Sequence, residues 1–552
     1  MVELREWQKN ATNKAIEWFE KGNEGKHFLI NAAPGAGKTI CASVIAQKLL
    51  QADIISRIVV IAPRREVVKQ WAAEFRTVTG RAMLQVTGAD AEVADYGQDI
   101  CATWSAVGGL LEAFKKLCDQ DDVLVICDEH HHASVRSAWG EGADKAFANA
   151  RHVLILSGTP VRSDQSDITW LEYNDHGEIN LPNEATYTLT YGESVDYGYC
   201  RPITFHRHEG HFSAELTDGT AVDVSGSADV QLPKISKRVP GLKTILDFYK
   251  LACTPRFHKD GETPDLSSYQ ASMINAAISK LNDARLEMPN AGGLVIAPNI
   301  KMAKYMAAIL EQLDGERPVI VHSKSPNADN RITAFRNSSR RWIVSVAMIS
   351  EGVDIKRLRV MVYLPNGQTE LLFRQAMGRV VRSAGPDDRS RAYVVMPTHS
   401  IFEEYARRVE GEMSAAARRE PSAPKTKTCP VCHTKQSLGA QECQQCGHEF
   451  EVQRQRSKAC SSCGTLNPIS AEVCCNCGDS FLNIFKITLN EALRNGVIAR
   501  GMDISETDAR ESEEIASEIK RRVIDSGDDI LINLIGKLPE ETYGRLKQVL
   551  DV

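Results

Sequence analysis

The stretch HFLINAAPGAGKTICASVIAQKLL, residues 27–50, predicts a short buried strand, a turn of small residues and a helix. Its first residues are apolar over a length that suits a strand, and apolar side chains recur after Lys38 at helical spacing. Glycine, alanine and proline fill the turn, and such small residues let backbone N–H groups wrap around a phosphate. The stretch therefore predicts an α/β fold with a phosphate site in the turn.

The turn AAPGAGKT, residues 32–39, has the spacing of a P-loop, with Ala32 at the position that often holds a glycine. In such a loop Lys38 reaches the β- and γ-phosphates of ATP, and the Thr39 hydroxyl binds Mg²⁺. A Gly-Lys-Thr triplet alone is common by chance, so the surrounding strand and helix make the motif informative. The predicted nucleotide contacts of the turn are Ala33, Pro34, Gly35, Ala36, Gly37, Lys38 and Thr39.

A second apolar strand, in VLVICDEHHHAS at residues 123–134, ends in two carboxylates about 90 residues after the P-loop lysine. In a P-loop enzyme Asp128 would hold Mg²⁺ through water and Glu129 would polarise the attacking water, so both are predicted catalytic residues. The alternative is a zinc site of three consecutive histidines. Neighbouring side chains at a strand end point to alternating sides and cannot all face one ion, which disfavours that alternative. His130 and His132 are instead expected to line a loop.

These two motifs resemble those of superfamily 2 helicases and translocases of the DExH type. The resemblance implies two RecA-like parallel-sheet domains in tandem, ATP hydrolysis in which Lys38 is catalytic, and a nucleic-acid partner. LREWQ, residues 4–8, resembles the adenine-reading segment of this family, which implies that Gln8 and Arg5 recognise the base. His131, at the fourth position of D-E-x-H, would couple the nucleotide to the neighbouring domain.

Four further segments follow in the order typical of the family. IAPRREVVKQW at 61–71 resembles motif Ia, and CATWSAV at 101–107 resembles another strand-contacting motif. LSGTPVRSD at 156–164 takes the place of motif III, although Gly158 departs from the commoner Ser-Ala-Thr form. ESVDYGYCRPITF at 193–205 resembles the exit from the first motor domain in the RadD-like and XPB-like branches. The resemblance implies nucleic-acid contacts for Pro63, Arg64, Thr103 and Ser105, and coupling roles for Ser157 and Thr159.

The second half of the chain repeats the strand–turn–helix pattern. AGGLVIAPNIKMAKYMAAILEQL and IVSVAMISEGVDIKRLRVMVYL, both within residues 291–364, predict a second parallel sheet. In the latter, ISEGVDI resembles motif V, which implies that Gly352 and Asp354 lie near the nucleotide and Glu351 near the bound strand. Val346 stands where the family frequently has threonine, so a hydroxyl contact is expected to be absent there.

FRQAMGRVVR, residues 373–382, resembles motif VI. In a helix Gln375, Arg379 and Arg382 would share one face, because they are spaced four and three residues apart. Planar guanidinium groups on that face can stabilise charge that develops at a γ-phosphate. Arg379 and Arg382 are therefore predicted catalytic residues, and Gln375 a nucleotide contact. The alternative, a solvated helix face with salt bridges, is disfavoured by the ordered motifs upstream.

Nine of the fifteen cysteines lie between residues 429 and 477, after a linker-like segment, 411–428, that is rich in small residues, proline and basic charge. CPVC and CSSC each begin a unit whose second cysteine pair follows ten residues later. Such knuckles suit tetrahedral zinc better than disulfides or redox pairs. The predicted ligands are Cys429, Cys432, Cys443 and Cys446 for one ion and Cys460, Cys463, Cys474 and Cys477 for the other. Cys475 is the spare thiol or a substitute for Cys474.

The chain has 552 residues, a formal net charge of −6 and no apolar run of the ~20 residues that span a bilayer. The charge argues against a globally basic nucleic-acid binder, so such contacts are expected in a local groove. The start, MVELREWQKN, lacks a secretory pattern, and a cytoplasmic location without a membrane partner is expected. The predicted layout is a RecA-like domain at 1–205, a connecting segment at 206–240, a second RecA-like domain at 241–410, a linker at 411–428, tandem zinc ribbons at 429–480 and a helical C-terminal element at 481–552.

Together these features predict an ATP-dependent helicase or translocase that uses ATP, Mg²⁺ and two Zn²⁺ ions, most similar in layout to the RadD-like DNA-repair group. DNA is the preferred partner, in repair, replication or recombination. An RNA helicase is one alternative, because the fold reads phosphate backbone more than base edges. Another is a zinc-dependent binding or scaffold protein with a vestigial ATPase. The ribbons or the C-terminal element are expected to contact nucleic acid or a protein partner.

Overall fold

The structure is a computed structural model. It describes residues 3–21, 25–88, 98–130, 138–158, 170–171, 181–215, 221–226, 247–258, 260–322, 324–346, 355–367, 369–385, 388–418, 426–438, 440–450, 457–459, 465–468, 475–476, 478 and 484–488. The described residues divide into two units. One contains the chain up to Cys200 together with Thr369–Gly378, and the other contains Arg201–Gln368 and the residues from Arg379 onward.

A seven-stranded sheet forms the centre of the first unit. Its strands are β1 (His27–Ala32), β2 (Arg57–Ala62), β3 (Met83–Val86), β4 (Asp99–Thr103), β5 (Val123–Cys127), β6 (His152–Ser157) and β7 (Thr186–Leu189). They lie in the order β3-β4-β2-β5-β6-β1-β7, and every neighbouring pair is parallel. This is the first of the two predicted parallel-sheet domains, and it places the carboxyl ends of β1 and β5 at the same edge.

Helices cover both faces of this sheet. They are α1 (Glu6–Lys21), α2 (Lys38–Gln51), α3 (Arg65–Thr79), α4 (Trp104–Gly109), α5 (Leu111–Gln120), α6 (Ala138–Ala146) and α7 (Tyr191–Asp196), with a 3₁₀ turn at Asn183–Ala185. Successive strand residues point to opposite faces, so Phe28 and Ile30 pack in one apolar layer and Leu29 in the other. The inner strands β2, β5 and β6 are nearly continuous apolar runs, because both of their faces are buried.

A six-stranded parallel sheet forms the centre of the second unit. It contains β8 (Ile203–His208), β11 (Gly292–Ile296), β12 (Val319–Val321), β13 (Trp342–Ser345), β14 (Leu358–Tyr363) and β15 (Ala392–Pro397). The order is β12-β13-β11-β14-β15-β8. The helices of this half of the chain are α8 (Phe248–Ala252), α9 (Tyr269–Glu287), α10 (Ile300–Asp314), α11 (Ala328–Arg336), α12 (Glu370–Met377), α13 (Ser400–Glu412) and α14 (Ala415–Arg418), of which α12 groups with the first unit. The second predicted parallel sheet is confirmed.

Three further small sheets lie among the residues that the structure describes. One contains β9 (His211–Glu215), β10 (Ala221–Ser225) and β20 (Ile484–Thr488), in the order β10-β9-β20. The other two are hairpins within the cysteine-rich region: β16 (Thr426–Thr428) with β17 (Lys435–Ser437), and β18 (Ser457–Ala459) with β19 (Leu466–Pro468). Each hairpin pairs the strand before a Cys-x-x-C knuckle with the strand after it, as a zinc ribbon requires.

Two segments differ from the sequence-based expectation. The boundary expected between residues 205 and 206 falls inside β8, because this strand pairs along its length with β15 of the second sheet. Ile484–Thr488 lies in the region expected to be helical but forms β20, because its β-branched residues extend β9 in parallel. The rest of that region, 489–552, lies outside the described residues. No helix in the described part of the chain combines the length and apolar character needed to cross a bilayer.

Candidate nucleotide site and metal centre

The P-loop connects the carboxyl end of β1 to the first residue of α2. Gly35 and Gly37 have φ angles of 83° and 99°, in the left-handed region that glycine adopts at low cost. The Lys38 ammonium donates to the carbonyl oxygen of Ala32 at 2.9 Å and so folds back over the loop. The loop therefore presents a cation and the N-terminus of a 14-residue helix at one place, which suits the binding of a phosphate.

Both residues predicted to recognise the base lie beside this loop. The Gln8 amide donates to the carbonyl oxygen of Gly37 at 2.9 Å, and its Oε1 accepts from the backbone N–H of Arg5 at 2.9 Å. Arg5 donates to the carbonyl oxygen of Ala36 at 2.9 Å, and its guanidinium lies 4.6 Å above the ring of Tyr199. The segment containing Arg5 and Gln8 is thus held on the P-loop, and Tyr199, which is not among the predicted site residues, orients Arg5.

The close approach of the backbone to the P-loop explains why motif III has a glycine, Gly158, in place of the commoner alanine. A Cβ at this position would lie 3.0 Å from the carbonyl oxygen of Ala32, 3.2 Å from Nζ of Lys38 and 3.3 Å from Cδ of Pro34. The backbone after β6 therefore runs against the P-loop, where a larger residue would push its neighbours away. Ser157 is buried at the end of β6, and Thr159 lies outside the described residues.

Asp128 and Glu129 follow β5 directly, at the sheet edge that carries the P-loop. The Oδ2 atom of Asp128 accepts from the indole N–H of Trp71 at 2.7 Å, and its Oδ1 accepts from the backbone N–H of Glu129 at 3.1 Å. Burial and the Glu129 charge raise the pKa of Asp128 to about 6, against the opposing effects of the Trp71 hydrogen bond and the Lys38 charge. Glu129 has a φ of 49°, a backbone conformation that non-glycine residues adopt at a cost and that often marks functional sites. A carboxylate oriented in this way fits the Mg²⁺ that the P-loop motif implies.

His130 is fully buried, which differs from the loop-lining position expected for it. Its ring stacks on Trp170 at 5.5 Å between centroids with 11° between planes, and it lies 6.0 Å from the ring of Trp104. Trp170 in turn stacks on His27 at 5.5 Å. The third position of the Asp-Glu-His-His motif is therefore a packing position, whereas His131 and His132 lie outside the described residues.

The residues with predicted nucleic-acid contacts follow β2 and β4 at the same edge. Pro63 and Arg64 are half-buried between β2 and α3. Thr103 is buried, and its hydroxyl caps α4 by accepting from the backbone N–H of Ala106 at 3.3 Å. Ser105 is exposed, with its hydroxyl 3.1 Å from that of Thr103. A helix cap therefore already uses the Thr103 hydroxyl, a role that its position before α4 could have indicated.

The shared helix face predicted for Gln375, Arg379 and Arg382 is wrong, because α12 ends at Met377. Gly378 and the two valines that follow it have low helix propensity. Arg379 is only 7% exposed, which also argues against a solvated helix face. The nucleotide and catalytic roles of the three residues stay predictions. The motif V residues Glu351, Gly352 and Asp354 lie outside the described residues.

A buried charge cluster adjoins the motif VI segment, and no local sequence pattern specifies it. Arg201 and Arg359 are each 1% exposed, and both contact Oδ2 of Asp388, at 2.7 Å and 3.2 Å. Burial raises the pKa of Asp388, but the Arg201 hydrogen bond and the charges of the two arginines outweigh it and hold the pKa well below its ordinary value. Arg201 belongs to the ESVDYGYCRPITF segment, and only its contacts across about 190 residues reveal its role.

Four cysteines of the first ribbon form a candidate metal centre. The ligand atoms of Cys429, Cys432, Cys443 and Cys446 all lie within 4.8 Å of one another. The Sγ atoms of Cys429 and Cys446 are 3.6 Å apart, and those of Cys432 and Cys443 are 3.5 Å apart. Four converging thiols on two knuckles suit tetrahedral Zn²⁺. The ligands predicted for the second ion, Cys460, Cys463, Cys474 and Cys477, lie outside the described residues, and Cys475 is exposed.

Comparison with known proteins gives two family matches. Residues 1–162 match the model of the type III restriction enzyme, res subunit, and residues 276–384 match the helicase conserved C-terminal domain. An uncharacterized protein of Mycobacterium tuberculosis is 30% identical over 391 residues, which cover 71% of this chain and 61% of the relative. A second one, from Mycobacterium leprae, is 28% identical over the same length and with the same coverage. The chain thus spans less than two thirds of the length of these relatives.

Among solved structures, an ATP-dependent type ISP restriction-modification enzyme bound to DNA aligns with a TM-score of 0.48 and 12% identity. The alignment covers 98% of this chain and 37% of that enzyme.

Proposed function

The chain belongs to the superfamily 2 helicases, and from that membership we propose that it is a DNA-stimulated ATPase that moves along DNA in repair, replication or recombination. The match of residues 1–162 to a restriction-enzyme model supports DNA rather than RNA, because restriction enzymes act on DNA. The net charge of −6 is compatible with this, since binding to a phosphate backbone needs only a local basic groove.

One observation carries the proposal: Lys38, Gln8 and Asp128, which the motifs predict to contact Mg·ATP, lie at one edge of the sheet in the first unit. Lys38 closes the loop, Gln8 contacts the loop backbone from the adenine-reading segment, and Asp128 lies within reach of the Lys38 charge. The half-buried carboxylates of Asp128 and Glu129 are adjacent and repel each other, an arrangement that favours an active ATPase over a scaffold protein with a vestigial one. The arrangement supports an active site.

The proposed mechanism assigns a task to each of these residues. Gln8 and Arg5 bind the base, and the backbone N–H groups of the loop and Lys38 bind the phosphates. Thr39 and Asp128 hold Mg²⁺, which neutralises phosphate charge when bound. Glu129 accepts a proton from the attacking water.

The motif V and motif VI segments are proposed to supply the remaining groups of the reaction. Arg379 and Arg382 are the proposed arginine fingers, whose guanidinium groups stabilise the charge of the transition state. Repeated ATP binding and hydrolysis would alternate the affinity for the strand and so step the protein along it. Gln375, Gly352 and Asp354 are proposed nucleotide contacts in the same cycle.

The ribbons extend the proposal. We expect two Zn²⁺ ions per chain. The cysteine repeat that begins at Cys460 has the same spacing as the repeat that begins at Cys429, and the four predicted ligands of the latter converge. The ribbons are proposed to contact DNA, with docking of a protein partner as the competing role. The domain layout given above is kept as a proposal, with the first boundary moved to the division between Cys200 and Arg201.

The test is ATP turnover by the zinc-loaded protein with single-stranded DNA, duplex DNA, forked DNA or RNA. The Lys38→Ala variant, which lacks the phosphate-binding ammonium, is the blank. Stimulation by DNA that disappears in the blank is the expected result. Stimulation by RNA alone would replace DNA with RNA as the proposed nucleic-acid partner. No turnover with any of the four nucleic acids would favour a binding protein.

A further inference from the structure

Trp71 differs from the other buried tryptophans of the first unit. The indole N–H groups of Trp7, Trp18 and Trp104 are buried without a hydrogen-bond partner within the described ranges of the chain. The Trp71 indole, which is 1% exposed, instead donates to Asp128 across 2.7 Å. The core of this unit thus accepts an indole that makes no hydrogen bond, so apolar packing alone does not account for the Trp71 contact.

The carboxylate of Asp128 is held on both sides. Trp71 occupies Oδ2 and the backbone N–H of Glu129 occupies Oδ1, which fixes the plane of the group. Each carboxylate oxygen has a second lone pair, so both remain able to accept from metal-bound water. A neutral donor orients the carboxylate without the added positive charge that would compete with a metal ion.

Asp128 is attached to the β2–α3 unit twice. Its backbone N–H donates to the carbonyl oxygen of Ile61 in β2 at 2.9 Å, and its side chain accepts from Trp71 in α3. The short segment between these two attachments contains Pro63 and Arg64, the predicted motif Ia contacts. A movement of α3 on binding of a strand would therefore move the donor that orients the carboxylate.

We propose that Trp71 is a positioning residue whose indole N–H orients the Asp128 carboxylate for Mg²⁺. The inference rests on the proposed function, because it assumes that this carboxylate holds the metal of a nucleotide complex. Nothing in the P-loop or in the Asp-Glu-His-His motif names this residue. Its role follows from the hydrogen bond across 57 residues of sequence.

The experiment compares Trp71→Phe with Trp18→Phe in the full-length, zinc-loaded protein. Both changes remove a buried indole N–H and keep an aromatic ring. Of the two tryptophans, Trp71 donates to a carboxylate and Trp18 does not. Affinity for a fluorescent ADP analogue is titrated in Mg²⁺ and in EDTA, and Mn²⁺ bound in the presence of ADP is counted by electron paramagnetic resonance. Circular dichroism and thermal unfolding verify that each variant is folded.

In Trp71→Phe we expect the gain in ADP affinity from Mg²⁺ to fall by about tenfold, as the loss of a hydrogen bond to a charged group predicts, with the affinity in EDTA unchanged. Mn²⁺ binding should weaken in parallel, and Trp18→Phe should match the wild type in both. In an Asp128→Asn background the Trp71→Phe change should add nothing, because the two residues act through one contact. If Mg²⁺ raises the ADP affinity of folded Trp71→Phe as much as that of the wild type, or if Trp18→Phe loses as much of this gain, the role of Trp71 is overturned while the proposed function stands. A wild-type protein that binds ADP without any Mg²⁺ effect overturns the proposed function as well.

Discussion

Arg201 donates from Nη1 to the carbonyl oxygen of Val380 at 2.9 Å, which attaches the first residue of the second unit to the chain between Arg379 and Arg382. The backbone N–H of Arg201 donates to the neighbouring carbonyl of Val381 at 2.6 Å. Arg201, the first residue after the division between the two units, thus hydrogen-bonds the backbone between the two predicted arginine fingers. We infer that the geometry of the fingers depends on this contact.

Replacing Arg201 with methionine should therefore destabilise the second unit. The change keeps an apolar side chain but leaves Asp388 and several carbonyl groups buried without this donor, and breaking a buried ion pair in this way costs about 3–5 kcal/mol. Arg340→Met removes the exposed pair with Glu316 and should cost about 0–1 kcal/mol. Chemical denaturation followed by circular dichroism measures both. Equal shifts in the two variants would show that the cluster does not stabilise the unit.

The Asp388 carboxylate should make part of this stability depend on pH. Its pKa lies well below the ordinary value of 3.8 in the folded protein, so the folded state binds fewer protons than the unfolded state in acid. The contribution is therefore complete above about pH 5 and is lost progressively as the pH falls through the unfolded pKa and on towards the folded pKa. In Asp388→Asn the difference in unfolding midpoint from the wild type should shrink over that range. A difference that stays constant down to the acid limit of the fold would contradict the assignment.

Gly158→Ala should weaken nucleotide binding. The added methyl group would sit 3.0 Å from a P-loop carbonyl and 3.2 Å from the Lys38 ammonium, and overpacking of this kind costs about 1–3 kcal/mol. We expect ATP affinity to fall by about tenfold or more. Gly108→Ala is the matched control, because nothing lies within 4 Å of a Cβ there. Equal ATP affinity in the two variants would mean that the P-loop adjusts freely.

Replacement of Cys443 should lower the zinc content of the protein, whereas replacement of Cys475 should not. Cys443→Ser removes a buried member of the converging group and should lower the zinc content by one ion per chain, whereas Cys475→Ser, at an exposed position, should leave it unchanged. Metal analysis of the purified variants measures this directly. Loss of zinc from Cys475→Ser would assign that thiol to the second site in place of Cys474.

The sequence predicts the local units of this fold well and their distant contacts poorly. The P-loop, the Asp-Glu pair after β5 and the first cysteine knuckles are read from short segments, because each depends on spacing within a few residues. The hydrogen bond from Trp71 to Asp128 joins residues from two different strand–helix units, and no local pattern specifies it. The Arg201 cluster is equally nonlocal.

The helix face predicted for motif VI shows how a correct spacing can mislead. Spacings of four and three match a helix, but the glycine after Met377 and the valines that follow end it. Burial of His130 cannot be predicted from its local sequence, because the ring of Trp170 that stacks on it is 40 residues away in the chain. Spacing therefore indicates which residues would share a face in a helix, whereas helix propensity decides whether the helix extends that far.

The most direct test of the account is the rate of phosphate release by Glu129→Gln in saturating ATP and single-stranded DNA, measured beside the wild type. The change keeps the shape of the side chain but removes the proposed general base. We expect a rate at least about 100-fold lower, with ATP binding retained. Phosphate release at the wild-type rate by the folded variant would contradict it, because hydrolysis would then not occur at this site.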